Sequence, residues 1–225
     1  MTDTEDPVEL ALPSVGARRN LREEISRNLR AAVISGELRP GMVYSAPTLA
    51  AQFGVSATPV REAMLDLAKE GLIDVVRNKG FRVTELSEKD LDDLSELRAL
   101  IEVPTVRRIA EQGVPEPVAA RLREIAADLE EASARRDLIA HVRLDMEFHL
   151  TLLALADNPR LVETVASLRS RSRIYGLRAL ADADALVPSA REHAELLELV
   201  LAGDADGAEA LMDRHIHHVR GIWAE

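Results

Sequence analysis

Four residues in the C-terminal half carry side chains able to ligate a divalent cation: Asp145, His149, His193 and His215. Asp145 and His149 are four residues apart, so on a helix they sit one turn apart and face the same way. Apolar periodicity puts all four on stripes that should be buried. One stripe runs Leu138, Val142, Asp145, His149, Leu152, Ala156; a second Ala190, His193, Leu197, Val200; a third Leu211, His215, Val219, Ile222. A carboxylate in such a place costs several kcal/mol, to order of magnitude, unless it is paired or bound to a metal. One Asp and three His, without Cys, suit Zn²⁺, Ni²⁺, Mn²⁺ or Co²⁺. Taken singly, each histidine reads equally as a hydrogen-bonded core residue, and spacing alone leaves both readings open. His141, His217 and His218 fall outside the set, since His217 lies on a polar face and His218 at the edge of a stripe.

Arg98 belongs to a further stripe, Leu91, Leu94, Arg98, Ile101, Thr105, which turns its guanidinium inward. Such a fork could bind both oxygens of a carboxylate ligand, or pair with Glu102 one turn on. Arg173 is a second candidate to line a pocket, although a surface position suits it at least as well.

The elements that must carry these residues are helical. After residue 86 the sequence predicts helices near 88–112, 117–135, 138–156, 160–180, 189–202 and 205–222, with Ser87-Glu-Lys-Asp90 resembling a capping box. The breaks are GVPEP at 113–117, DNP at 157–159, the region of Pro188, and Gly203-Asp204. The first 86 residues read differently. An amphipathic helix from Arg18 to about Ser35 uses Leu21, Ile25, Leu29 and Ala32/Val33, and a short helix covers Pro47 to Phe53. Gly54 breaks the chain, and Ser56 offers an N-cap for a helix ending near Glu70. Two helices about a tight glycine turn form a helix-turn-helix. The following β-rich stretches, Leu72–Arg77 and Phe81–Thr84, form a hairpin with a basic tip at Asn78-Lys79-Gly80, placed as a wing. The expected fold class is therefore mainly α: an N-terminal winged helix-turn-helix over 17–84 after a flexible tail at 1–16, a linker at 85–90, and an all-α bundle over 91–225.

In a helix-turn-helix the first turn of the second helix faces the bases. Here it supplies Ser56, Thr58 and Arg61 for phosphates or base edges, while Val60, Met64, Leu67 and Ala68 face inward. Arg77 and Lys79 on the wing could touch the backbone or minor groove. The overall charge of −11 conceals a division along the chain. Residues 17–84 carry 11 Lys/Arg against 7 Asp/Glu, whereas residues 85–225 carry 17 against 28. Only the face that meets phosphate must be positive, so this distribution is compatible with double-stranded DNA as a partner. With 47% hydrophobic and 30% charged residues the composition is that of a soluble globular protein. There is no cysteine, no apolar run near 18 residues and no basic-then-apolar leader in MTDTEDPVEL, which leads to the expectation of a cytoplasmic protein.

The segments GELRPG at 36–41, LAAQFGVSATPVREAM at 49–64, EGLI at 70–73 and RNKGFRV at 77–83 resemble the winged helix of the GntR family of bacterial transcription regulators. LRALIE at 97–102, DMEFH at 145–149, REH at 191–193 and AGDADGAEALMDRHI at 202–216 resemble the FCD domain, the helical effector-binding domain of the FadR subfamily. The resemblance implies DNA contacts from Thr58 and Arg61. It also implies one divalent metal ion per chain (Zn, Ni or Mn) on Asp145, His149, His193 and His215, and an effector near Arg98. Ala57 stands where the family usually has Arg, and Pro47 where it usually has a charged residue, so those two contacts are not carried over. The implied function is a homodimeric DNA-binding regulator, commonly a repressor, whose operator affinity answers to a small carboxylate. The same Asp/His set would also serve a metal-dependent hydrolase or lyase, or a sensor of the ion itself. The lack of an evident second carboxylate base and the attached DNA module weigh against an enzyme.

Overall fold

The computed structural model describes the backbone of residues 16–34, 36–182 and 184–223, and the side chains of residues 21–33, 36–172 and 184–217. The tail expected over 1–16 lies outside these residues save for Gly16, which already opens the first helix. Nine α-helices and three short strands follow in order among the described residues: α1 Gly16–Ile34, β1 Val43–Tyr44, α2 Ala46–Phe53, α3 Ala57–Lys69, β2 Ile73–Val76, β3 Gly80–Val83, α4 Glu88–Gln112, α5 Glu116–Ala134, α6 Leu138–Leu153, α7 Pro159–Asp182, α8 Leu186–Ala202 and α9 Ala205–Trp223. A 3₁₀ turn, Ala154–Ala156, takes up the end of the helix expected to reach 156.

Residues 16–83 have their own core. Ile25, Leu29 and Val33 of α1, Val60, Met64 and Leu67 of α3, and Phe81 and Val83 of β3 are all buried together. Leu21, expected on the same stripe of α1, is instead 37% exposed. At that end the contact with α3 is polar: Arg22 grips Asp66 through Nε and Nη2, at 2.7 and 2.5 Å. Ser45 caps α2, accepting from the Thr48 N–H, and Gly54 closes it in the left-handed region. Ser56 stands at the N-cap of α3 as expected, but its side chain makes no capping bond and the residue is exposed.

The hairpin pairs β2 with β3 antiparallel, Val76 opposite Gly80, across the tip Arg77-Asn78-Lys79. Its outer neighbour was not expected from sequence: β1, two residues long, pairs with β3 to give the order β1-β3-β2. Two residues are too few to show an alternating pattern. Gly80 has φ 128°, and a Cβ there would lie 2.3 Å from the backbone oxygen of Tyr44.

The second core gathers Val106 and Ile109 of α4, Leu122, Ile125 and Leu129 of α5, Phe148 and Leu152 of α6, Val165 of α7, Val200 of α8, and Leu211 and Met212 of α9. α4 starts at Glu88 with the expected capping box, Ser87 accepting from the Asp90 N–H and Asp90 accepting from Ser87. Pro104 lies inside α4 on its exposed face, and the Thr105 hydroxyl donates back to the Ile101 carbonyl at 2.6 Å. Pro188 does not break α8 but occupies its first turn, where a missing N–H costs little. The two domains touch where α7 passes the winged helix, with the Arg171 stem packed so closely on Gly71 that a Cβ there would come within 2.9 Å of Cγ.

Gly80→Ala should lower stability by more than about 2 kcal/mol, because the obstacle is backbone and φ is positive. Urea denaturation of the full chain would register this, and an unchanged midpoint would refute the assigned β1–β3 approach.

Candidate metal centre and nucleic-acid interface

α6, α8 and α9 each deliver ligands to one point. Asp145, His149, His193 and His215 are all at most 2% exposed, and one ligand atom from each lies within 4.8 Å of every other. The partners of the imidazoles fix which nitrogen faces inward. His193 Nδ1 donates to the Ser189 carbonyl at 3.0 Å, and His215 Nδ1 lies 2.6 Å from the carboxylate of Glu192. Each Nδ1 must then carry the proton, leaving Nε2 with a lone pair. His215 Nε2 is buried and has no hydrogen-bond partner. His193 Nε2 stands 3.0 Å from His149 Nε2 and 3.1 Å from Asp145 Oδ1. Ligands about 2.1 Å from a shared ion lie roughly 3.0–3.4 Å apart, so these separations suit a common centre. An orphaned buried nitrogen among converging imidazole and carboxylate atoms fits a divalent cation.

Around this set lies a buried ionic network that sequence reasoning reached only in part. Arg98, 1% exposed, donates through Nε to Glu102 Oε1 at 2.8 Å, which is the pairing with its own helix considered above. The other Glu102 oxygen is held by Arg169 of α7, through Nε at 3.0 Å and through Nη2. Arg169 Nη1 reaches Asp145 Oδ2 at 3.3 Å. Glu102 Oε2 also lies 3.9 Å from His149 Nδ1. Burial pushes the Glu102 carboxyl up, yet the two guanidiniums outweigh it and hold the group below its ordinary value. Arg169 was missed, although Val165, Arg169 and Ser172 are buried at steps of four and three along α7. That spacing is the inward stripe, and it could have been read.

The remaining candidates are elsewhere. His141 is buried, but its Nδ1 faces the Ser133 hydroxyl at 2.8 Å. His217 is exposed, with Nδ1 at 2.8 Å from the Asp213 carbonyl. The side chains of Arg173 and His218 lie outside the described residues. On the winged helix, Ser56, Thr58, Arg61, Arg77 and Lys79 are all exposed. Arg61, Arg77 and Lys79 line one groove of about 420 Å³ with Ser45, Pro47 and Asn78. The wing and the reading helix thus present their cations to a shared space. Among the described residues no helix is long and apolar enough to cross a membrane.

His215 is pushed down to about 4, chiefly by burial and against the pull of Glu192; His149 lies well below its ordinary value, by burial first and the charge of Arg169 second. A histidine lowered in this way is neutral when folded and takes up a proton on unfolding. Its contribution is complete above the unfolded value of about 6.5 and is lost as pH falls towards 4. The thermal midpoint of metal-stripped protein should therefore fall as pH drops from 7 to 4.5, and fall less steeply for His215→Asn. Parallel curves would show that His215 is not the responsible group.

Comparison with known proteins agrees with this division. The family described as bacterial regulatory proteins, gntR family, matches residues 21–83, and the FCD domain matches residues 93–218. The Nta operon transcriptional regulator of Aminobacter aminovorans is 37% identical over 140 residues, covering 62% of this chain and 66% of that protein. The HTH-type transcriptional regulator McbR of Escherichia coli is 29% identical over 194 residues, 85% of this chain and 86% of the relative. The solved structure of E. coli McbR/YncC superposes with a TM-score of 0.73 at 26% identity, covering 91% of this chain and 97% of that one. These relatives are named as regulators of transcription, not as enzymes.

Proposed function

The chain belongs to the GntR family of bacterial regulatory proteins and joins that winged helix to an FCD domain, and from this premise we propose a homodimeric DNA-binding repressor governed by a small carboxylate at a divalent-cation centre. The observation that carries the reading is the convergence of four buried ligand atoms, one of them the partnerless Nε2 of His215, within the helical domain.

Asp145, His149, His193 and His215 would hold the ion, and an ion that expands beyond four ligands would offer a Lewis-acidic seat to a carboxylate oxygen. Arg98 is the residue assigned to the effector's second oxygen. It reaches it by yielding part of its contact with Glu102, which keeps a second guanidinium in Arg169 and so is not left unpaired. At the other end, Arg61, Arg77 and Lys79 take phosphate or base edges, and Ser56 and Thr58 add hydroxyl donors at the start of α3. A two-fold symmetric dimer places two such surfaces on the halves of a near-palindromic operator. The effector changes operator affinity only to the extent that it binds the two arrangements unequally. Routes between the domains include the short segment at 84–87 leading into α4, the packing of α1 on α7, and the contact of Arg171 with Gly71 just beyond α3.

The test begins with selection of duplex DNA from a random library, followed by binding measurements at fixed salt. A two-fold symmetric site should emerge, bound about 10- to 100-fold more weakly by Arg61→Ala. With the cation present, one member of a carboxylate panel should shift operator affinity in the native protein and not in Arg98→Ala. Operator binding that responds to the ion without any carboxylate would instead favour an ion sensor. Binding of sequence-random DNA alone would defeat the assignment of Arg61.

A further inference from the structure

We propose that Arg169 is a positioning residue of the cation centre, holding the outer oxygen of Asp145 so that the carboxylate offers only Oδ1 to a divalent ion. The inference rests on the cation reading above and adds to it a residue and a coordination mode.

Asp145 has its two oxygens committed in opposite directions. Oδ1 faces His193 Nε2 at 3.1 Å and His149 Nε2 at 3.8 Å, on the side where the lone pairs converge. Oδ2 faces Arg169 Nη1 at 3.3 Å. A carboxylate free to rotate can give an ion one oxygen or both; a fork hydrogen-bonded to the second oxygen removes that choice. Arg169 is itself not free to move. It is wholly buried, and its Nε and Nη2 are both spent on Glu102, whose other oxygen is tied to Arg98. A donor anchored at two of its nitrogens keeps the third in place.

The arrangement has a consequence for ligand binding. Three imidazole nitrogens and one carboxylate oxygen make four ligand atoms. An ion able to expand to five or six ligands would then keep about one or two positions for an incoming ligand, and a chelating Asp145 would leave one fewer. Arg169 therefore sets how much of an effector the centre can accept, without touching the ion or the effector.

The experiment uses the full chain loaded with Zn²⁺, after equilibrium dialysis has established that the ion binds. Infrared difference spectra are recorded on adding Zn²⁺ to protein labelled with ¹³C at the aspartate carboxyl carbon. Asp145→Asn serves as the subtraction. The Asp145 bands should show antisymmetric and symmetric stretches further apart than in a free carboxylate, the signature of one-oxygen binding. In Arg169→Met the separation should collapse to that of a chelating carboxylate while Zn²⁺ is still bound. If that variant does not fold, the double variant Arg169→Met, Glu102→Gln removes the paired charges together and carries the same expectation. A narrow separation in the native protein overturns the proposal, as does a wide one retained after Arg169 is removed. Failure of the native protein to retain Zn²⁺ in dialysis overturns the cation reading as well, which distinguishes the two failures.

Discussion

Within the helical domain, two arginines share one carboxylate. Arg98 and Arg169 close on Glu102 from two helices, and Arg169 passes on to Asp145, so that four formal charges cancel in a space that water does not reach. An unpaired ion in such a place costs several kcal/mol to order of magnitude, and removing one member of a buried pair commonly costs about 3–5 kcal/mol. The relative placement of α4, α6 and α7 is therefore restricted to arrangements in which these groups meet. The apolar residues of the same helices tolerate more variation, because hydrophobic contact has no direction.

The neutrality of that network sets the chemistry available beside it. Glu102 and Asp145 are balanced by the two guanidiniums, and the carboxylate of Glu192 stands against His215 at the edge of the centre. A divalent ion would bring two positive charges into a closed space, and an anion is the natural counterweight. On the proposed function, a cation and a carboxylate effector at this centre would each make the other less costly to bury. The carboxylate of Glu192 on His215 and the carbonyl of Ser189 on His193 extend the same logic outward, orienting each ring so that Nε2 faces the centre.

The DNA-facing module follows a different economy. Its charged groups are exposed, its core is separate, and the stiff parts are the two bidentate clasps of Arg22 on Asp66 and Arg30 on Glu70 that lock α1 to α3. Partly exposed pairs of this kind contribute little stability, about 0–1 kcal/mol each, but a fork holding a carboxylate by two bonds fixes geometry well. The reading helix is thereby held against α1, and α1 in turn packs against α7. A displacement of the helical domain therefore has a packed path to α3.

Sequence alone determined most of the elements, their order and the residues that could ligate an ion. Periodicity finds a helix wherever one face is buried, so the stripes carrying Arg98, Asp145, His149, His193 and His215 were legible, and so were the glycine turn at Gly54 and the capping box at Ser87. It could not find β1, since two residues have no period, nor the exposure of Leu21, which depends on what stands opposite. It also left two readings of the histidines and two of Arg98. Which groups those side chains meet was decided only by tertiary structure, because it is a question of which groups come within 3 to 4 Å. Arg169 marks the boundary most clearly. Its place on an inward stripe was written in the sequence, but its bond to Asp145, 24 residues earlier, exists only where α6 and α7 pack.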